Sequence, residues 1–358
     1  MKAAVCREFK KPLVIEDIKL AEPGPNDIKV KIKACGICHS DIHFIEGAWG
    51  GTLPAVYGHE GAGIVEKVGR NVRHLKAGDH VVVTLVRSCG VCPSCAAGDQ
   101  VLCEGTFDLS GKSPLTAKNG KPITHGLGTG AFAEYVVVDA SQAVAIPKDM
   151  PFAPASLIGC AVVTGLGAVV NTAGVTAGRS VAVIGTGGVG LNSIQGAALA
   201  GASPIIAIDL SPTKLKAAKR FGATHGVSAK GDVTKEVKAL TEGRGADYVF
   251  VTVGAKAAIE QAFSLVRRGG SVVLVGMPAS DVRATFDPVY LAYDEQRIIG
   301  SRMGSTRLQI DVPKIVELYK QDRVKLDELV TKTYPLGKIN EAIEAVVQGK
   351  ALRNVIVF

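Results

Sequence analysis

At 358 residues, with 47% hydrophobic and 21% charged side chains, the chain is long enough for two domains with well-formed cores, and its composition excludes a disordered chain or a small disulfide-stapled module. A net charge of +8 invites a nucleic-acid reading, but the 41 Lys and Arg residues are scattered along the chain. That distribution fits a solvated surface that mildly steers anionic ligands such as a dinucleotide, and no nucleic-acid partner is expected.

The first residues, Met1 to Cys6, read as a strand and lack the apolar stretch and small-residue cleavage site of a signal peptide, so a cytoplasmic home with reduced thiols is expected. From Met1 to about Val138, short alternating runs (Ile28 to Lys33, Gly63 to Val68, His80 to Val83) are separated by Gly, Pro and Asp, the texture of a strand-rich domain. Two segments here hold candidate metal ligands: Gly36-Ile-Cys38-His39-Ser40-Asp41-Ile-His43 and Gly58-His59-Glu60-Gly61.

The run Cys89-Gly-Val-Cys92-Pro-Ser-Cys95, closed by Cys103, packs four thiols into one loop. Four thiolates surround one Zn2+ tetrahedrally and leave no open position, so a structural zinc is expected. An iron–sulfur cluster is the main competitor, yet the bacterial ferredoxin pattern closes with Cys-x3-Cys-Pro, whereas seven residues separate Cys95 from Cys103. Disulfides need an oxidising compartment and usually a far smaller domain.

Met150 to Gly178 carries no charged residue and is long enough to cross a bilayer by count alone. Pro151, Pro154, Gly159, Gly165, Gly167, Asn171 and Gly174 interrupt it, so it is read as a buried junction between two domains, with no membrane partner. Within it lies Cys160. Alone, a cysteine in an apolar run is usually a small core residue, and His59 alone reads as a core histidine. Together, Cys38, His59 and Cys160 make a two-thiolate, one-imidazole set with a fourth position left for water or substrate.

From about Arg179 the rhythm changes to apolar strands (Ser180 to Ile184, Ile205 to Ile208, Tyr248 to Val251, Ser271 to Val275) alternating with amphipathic helices, which is the pattern of a parallel sheet covered on both faces. The first strand runs into Gly185-Thr-Gly187-Gly188-Val189-Gly190 and a helix from Leu191 to Ala200, and Asp209 ends the next strand. This is a dinucleotide fingerprint: the glycines admit a pyrophosphate to the helix N-terminus, and the carboxylate accepts from ribose hydroxyls and repels a 2'-phosphate. NAD is expected over NADP, with Lys214 the one cue the other way. The next helix has Ser211 as N-cap, Pro212 at its first position and Gly222 past its end. A helix from Val312 to Lys320 follows, and the tail Asn354 to Phe358 should close back on the first domain.

Taken together these segments, with Ile158-Gly-Cys160, Val275-Gly276 and Leu352 to Phe358, resemble the zinc-dependent medium-chain alcohol dehydrogenase family across nearly the whole chain. The resemblance implies an α/β architecture: a GroES-like catalytic domain (1–161 and 303–358, with a zinc lobe at 89–103) and a Rossmann domain (162–302). It implies two Zn2+ per subunit, the catalytic one on Cys38, His59 and Cys160 with Glu60 nearby, and the structural one on Cys89, Cys92, Cys95 and Cys103. It implies proton exit through Ser40 and His43, and an Asp41 carboxylate that accepts the second ring N–H of His59. Thr164 would pack on the nicotinamide of NAD, His39 and Arg353 would meet its pyrophosphate and Lys214 its adenosine ribose, and Val275 would also contact the cofactor. Trp49, Leu85 and Met277 would line the substrate pocket. Trp49 narrows that pocket and Leu85 widens it, so the expectation is reversible oxidation of primary alcohols to aldehydes, medium-chain or aromatic ones included. A homodimer or homotetramer through the Rossmann sheets near Ser271 to Val275 and Arg297 to Met303 is implied as well.

Two alternatives stay open at this point. A glutathione-dependent formaldehyde dehydrogenase shares the zinc pattern but needs cationic contacts that cannot be placed here. A zinc-ribbon binding or redox-sensing protein would use the cysteine loop and leave the Asp209 fingerprint unexplained. Cys6 and Cys35 are assigned to core packing.

Overall fold

Strand formation in the first part of the chain follows the alternation seen in the sequence: Asp27–Gly36 buries Ile28, Val30 and Ile32 completely and is the longest strand in its sheet. The computed structural model describes all 358 residues and divides them into two units, Met1–Cys160 with Arg307–Phe358, and Ala161–Thr306.

In the first unit, five short strands close a barrel in the order Lys2–Cys6, Val14–Leu20, Leu115–Ala117, Pro122–His125, Ala55–Val56. A second, seven-stranded sheet runs Ala143–Ile146, His80–Val83, Glu60–Val68, Asp27–Gly36, Arg353–Val357, Val330–Pro335, with Tyr135–Asp139 also paired to Asp27–Gly36. The tail does return here: Val355 to Val357 pair antiparallel with Gly36 to Ala34. A shared apolar core that includes Ile32, Phe132, Ile123 and Ile356 fills the unit, and each such side chain removed from water contributes roughly 1.5–3 kcal/mol. The helix expected from Val312 begins earlier, at Leu308, and carries Pro313 inside. Its first turn is secured by the Arg307 amide donating to Asp311 Oδ2 (2.8 Å), which moves the start upstream of the proline.

The second unit is built on a six-stranded parallel sheet in the order His225–Ser228, Ile205–Asp209, Val181–Ile184, Ala246–Val251, Val266–Leu274, Arg297–Gly300. In chain order this is 3-2-1-4-5-6, the doubly wound dinucleotide-binding arrangement. All four residues of Val181–Ile184 are buried, as a strand covered on both faces requires. Ser211 caps Pro212–Arg220 by accepting from the Lys214 amide, and Gly222 follows at φ +110°.

The uncharged stretch forms one helical segment, Phe152–Thr172, of 21 residues. It is apolar enough to span a membrane, yet 89% of its most apolar window is buried inside the protein, so it is a core helix. Two π-helical turns, Ile158–Val162 and Ala168–Thr172, interrupt it, which the sequence did not announce.

Candidate metal centres and dinucleotide fingerprint

Asp41 organises the buried cluster. It lies in the first turn of the helix His39–Ile45, wholly buried, where its Oδ2 accepts from the Cys38 amide (3.2 Å) and its Oδ1 from the Gly58 amide (2.9 Å). The same Oδ1 lies 2.9 Å from His59 Nδ1. A carboxylate only accepts, so Nδ1 carries a proton, and Nε2 is the nitrogen that can offer a lone pair to a metal once the ring is neutral. One side chain thus ties together the two loops that supply Cys38 and His59. Cys160 arrives from the π-helical turn, next to Gly159, whose missing side chain lets the helix approach the strand His80–Val83: a Cβ there would stand 2.8 Å from the Val83 carbonyl. π-Turns of this kind recur at functional sites.

The donor atoms of Cys38, His59, Glu60 and Cys160 all lie within 4.8 Å of one another, and all four residues are buried. His59 Nε2 is fully buried and has no hydrogen-bond partner. An orphaned imidazole nitrogen beside two thiols costs stability unless something ligates it, and Zn2+ suits this soft, mixed donor set. Electrostatics agree. The Cys160 thiol donating to Cys38, helped by His59, holds Cys38 well below the usual thiol range, while the same hydrogen bond and burial push Cys160 well above it. Burial by itself would lower the His59 pKa, but the Asp41 carboxylate outweighs it and raises the group. Glu60 is pushed up to about 7, by burial first, with Arg353 opposing.

Arg353, expected at a cofactor pyrophosphate, is only 4% exposed and forms a buried ion pair with Glu60 Oε2. The two residues are 293 apart in the chain, so no local pattern signals the pair. Burial would lower the guanidinium pKa and Glu60 more than offsets it.

The second cluster is local. Cys89, Cys92, Cys95 and Cys103 place their sulfurs within 4.8 Å of one another, and Cys92 Sγ is 4.0 Å from Cys103 Sγ, near the about 3.8 Å edge of a tetrahedron with 2.3 Å zinc–sulfur bonds. Amides converge on these sulfurs: Cys92 to Cys89 (3.3 Å), Cys95 to Cys92 (3.4 Å), and Cys89 and Gly105 to Cys103 (3.3 Å each). The Glu104 and Cys95 amides hold Cys92 at about 6, and those of Val91 and Cys92 lower Cys89. Amides favouring the thiolate at Cys89, Cys92 and Cys103 suit a closed zinc site, while burial pushes the metal-free Cys95 thiol up to about 12. Cys6 and Cys35 are both fully buried in the core, as expected.

Ser40 and His43 sit on the helix His39–Ile45, three residues apart and each half-buried; His39 is exposed. The His43 ring lies 4.9 Å from Trp49, which also meets Phe44 edge-on at 5.3 Å, and Phe44 stacks on Tyr57. Leu85 is half-buried just beyond the strand His80–Val83. Met277 is 62% exposed, so its own unit does not enclose it as a pocket wall.

In the second unit the helix Gly188–Leu199 starts at the glycine fingerprint with Gly187 as N-cap. Gly190 packs on Gly185 and Thr252 too closely for a side chain, whereas a Cβ at Gly187 would meet nothing within 4 Å. Open space over a helix N-terminus is the cradle a pyrophosphate occupies, so the residues fit a dinucleotide. Asp209 accepts from the Thr186 amide (2.7 Å), the Thr186 hydroxyl (2.9 Å) and the Ser211 amide (2.9 Å), which leaves about one of a carboxylate's four acceptor sites for a ribose hydroxyl. Thr164 is buried, with its hydroxyl 3.6 Å from Met303 Sδ. Val275 is buried and Lys214 partly so.

Comparison with known proteins agrees. Residues 24–148 match the model of an alcohol dehydrogenase GroES-like domain and residues 188–321 that of a zinc-binding dehydrogenase. The cysteine loop therefore lies inside a dehydrogenase domain, which removes the zinc-ribbon reading. An alcohol dehydrogenase of Malus domestica is 38% identical over 99% of this chain and 96% of its own length. A zinc-binding-domain alcohol dehydrogenase protein from Burkholderia ambifaria superposes with a TM-score of 0.95 at 36% identity, covering 100% of this chain and 98% of that one. A benzyl alcohol dehydrogenase from Acinetobacter calcoaceticus does so with a TM-score of 0.93 at 31% identity, covering 100% and 99%.

Proposed function

We propose, from the premise that this chain belongs to the zinc-dependent medium-chain alcohol dehydrogenase family, that it oxidises primary alcohols reversibly to aldehydes with NAD as the hydride acceptor. The observation that carries the reading is the buried set of Cys38, His59 and Cys160, with His59 Nε2 left unpartnered.

Zn2+ held by those three side chains would leave one position open and would lower the pKa of an alcohol hydroxyl brought to it. The protein's own groups do the rest. Asp41 fixes the His59 tautomer and keeps its ring aimed at the cluster. Ser40 Oγ, on the helix capped by Cys38, accepts the hydroxyl proton as it releases its own, and His43, three residues further and half-exposed, is the group that gives a proton to solvent. Gly187 admits the dinucleotide, and the Asp209 carboxylate binds the adenosine ribose and disfavours a 2'-phosphate.

Two zinc ions per subunit, one in each cysteine-containing cluster, belong to the same proposal. For the substrate, Trp49, backed by Phe44, would supply an aromatic wall and Leu85 an aliphatic one, which suits aromatic and medium-chain alcohols; the likeness to a benzyl alcohol dehydrogenase supports this. The strand Arg297–Gly300 is the sheet's edge, and its Ile298 is 37% exposed. Edge-to-edge pairing of two subunits there would cover this side chain, so a homodimer or a tetramer of such dimers is proposed; Ser271 is buried one strand inward. No disulfide joins any two of the eight cysteines, in keeping with a reducing, cytoplasmic location.

The test is cofactor reduction with a panel of primary, secondary, aliphatic and aromatic alcohols, each with NAD and with NADP. The reading expects the highest kcat/KM for aromatic or medium-chain primary alcohols with NAD. A preference for NADP would overturn the role given to Asp209, and turnover confined to secondary alcohols the substrate class.

A further inference from the structure

Gly36 ends the strand Asp27–Gly36 and pairs across the sheet with Glu60. Its φ is not in the left-handed region that only glycine adopts freely, so backbone conformation does not demand a glycine. Space does. A Cβ on Gly36 would overlap Glu60 Oε2, and would stand 2.9 Å from Leu157 Cδ2 and 3.2 Å from Glu60 Cβ. The Glu60 carboxylate therefore occupies the volume of the missing methyl group, and there Oε2 meets Arg353. The other oxygen, Oε1, is buried with no partner, and the carboxylate belongs to the donor set within 4.8 Å of Cys38, His59 and Cys160. Two places are open to this carboxylate: the seat over Gly36, where Oε2 pairs with Arg353, and the fourth position of a metal held by the other three residues.

We infer that Gly36 is a positioning residue which keeps the fourth coordination position of the Cys38, His59 and Cys160 site open by giving the Glu60 carboxylate a seat away from it. The inference rests on the zinc reading of that site. A methyl group at position 36 evicts the carboxylate toward the donor cluster, where it completes a closed set of two sulfurs, one nitrogen and one oxygen. Such a site resembles a structural zinc centre in having nowhere for an outside ligand to bind. Arg353 holds the other side of the seat, so its loss acts in the same direction.

The experiment uses the full-length protein with Co2+ in place of zinc, titrated with imidazole as a monodentate ligand and followed by the cobalt ligand-field bands. Wild type takes up imidazole with a band shift. Gly36→Ala raises the imidazole dissociation constant by about tenfold or more, and the double variant Gly36→Ala with Glu60→Ala brings it back close to the wild-type value. Arg353→Gln weakens imidazole binding as Gly36→Ala does, and carries the test if Gly36→Ala does not fold. Wild-type imidazole binding in Gly36→Ala, or failure of the double variant to recover, overturns the inference, because the defect is then absent or is one of packing. A separate control distinguishes the premise: if Cys38→Ser leaves the cobalt spectrum of the protein unchanged, no metal sits at this site, and the zinc reading falls together with the inference.

Discussion

The two metal-ligand clusters are made of similar side chains and are built in opposite ways. The lobe draws four cysteines from Cys89 to Cys103, leaves three of them partly exposed, and orients them with amides of the same loop. The inner cluster draws Cys38, His59 and Cys160 from separate elements, buries every one, and pairs the neighbouring Glu60 carboxylate with an arginine from the C-terminal strand. On the assignment proposed above, a loop that supplies all four ligands would close the metal and only stabilise, whereas a site assembled by the fold from three ligands would leave a position open for chemistry.

The largest effect that would sharpen this contrast is on the inner cluster. Cys160→Ala should lower turnover by at least about a thousandfold, as removal of a metal and its polarising charge would, and cut zinc content by one ion while NAD still binds. Turnover near wild type would break the assignment of open and closed sites. Asp41→Asn keeps the side chain's size but removes the charge that aligns His59. It should reduce catalytic-metal affinity by about 10–100-fold, read by competition with a chelator, and leave the lobe metal in place.

The lobe should answer differently. Cys92→Ser should lower the thermal midpoint by about 10 °C, consistent with a loss of a few kcal/mol, while turnover per catalytic zinc stays within about threefold. Equal losses of activity from Cys92→Ser and Cys160→Ala would mean that the lobe is not merely structural. The smallest effect belongs to a control in the second unit, which holds neither cluster. Asp247 is buried enough for desolvation to raise its pKa, yet Ser180 and then Arg267 hold it at about 2. Its folded value lies below the ordinary carboxylate value, so its stabilisation is present above about pH 4 and is lost as pH falls toward 2. Asp247→Asn should therefore cost about 2 kcal/mol at neutral pH, less below pH 4, with both metals retained; urea unfolding at two pH values measures it.

How far the sequence reveals each region follows from the same contrast. The lobe is legible because its ligands are neighbours in the chain. The dinucleotide site is nearly as legible, since Gly185 to Gly190 lie between strand and helix and Asp209 ends the next strand. Cys38 and His59 stand out as a pair of short motifs, but Cys160 is hidden in an apolar helix whose π-turn no periodicity signals. The Glu60 and Arg353 pair is invisible to local reasoning because a sheet created late in the chain brings them together. The barrel strands Ala55–Val56 and Leu115–Ala117 escape for a simpler reason: two or three residues are too few to show alternation.

The most direct test of the central claim is zinc content per chain in freshly purified protein, measured alongside alcohol-dependent NAD reduction on the same sample. Two zinc ions per chain in an active enzyme is the predicted result. Full activity with a single zinc, retained when Cys160 is replaced, would contradict it, because the inner cluster would then work without a metal.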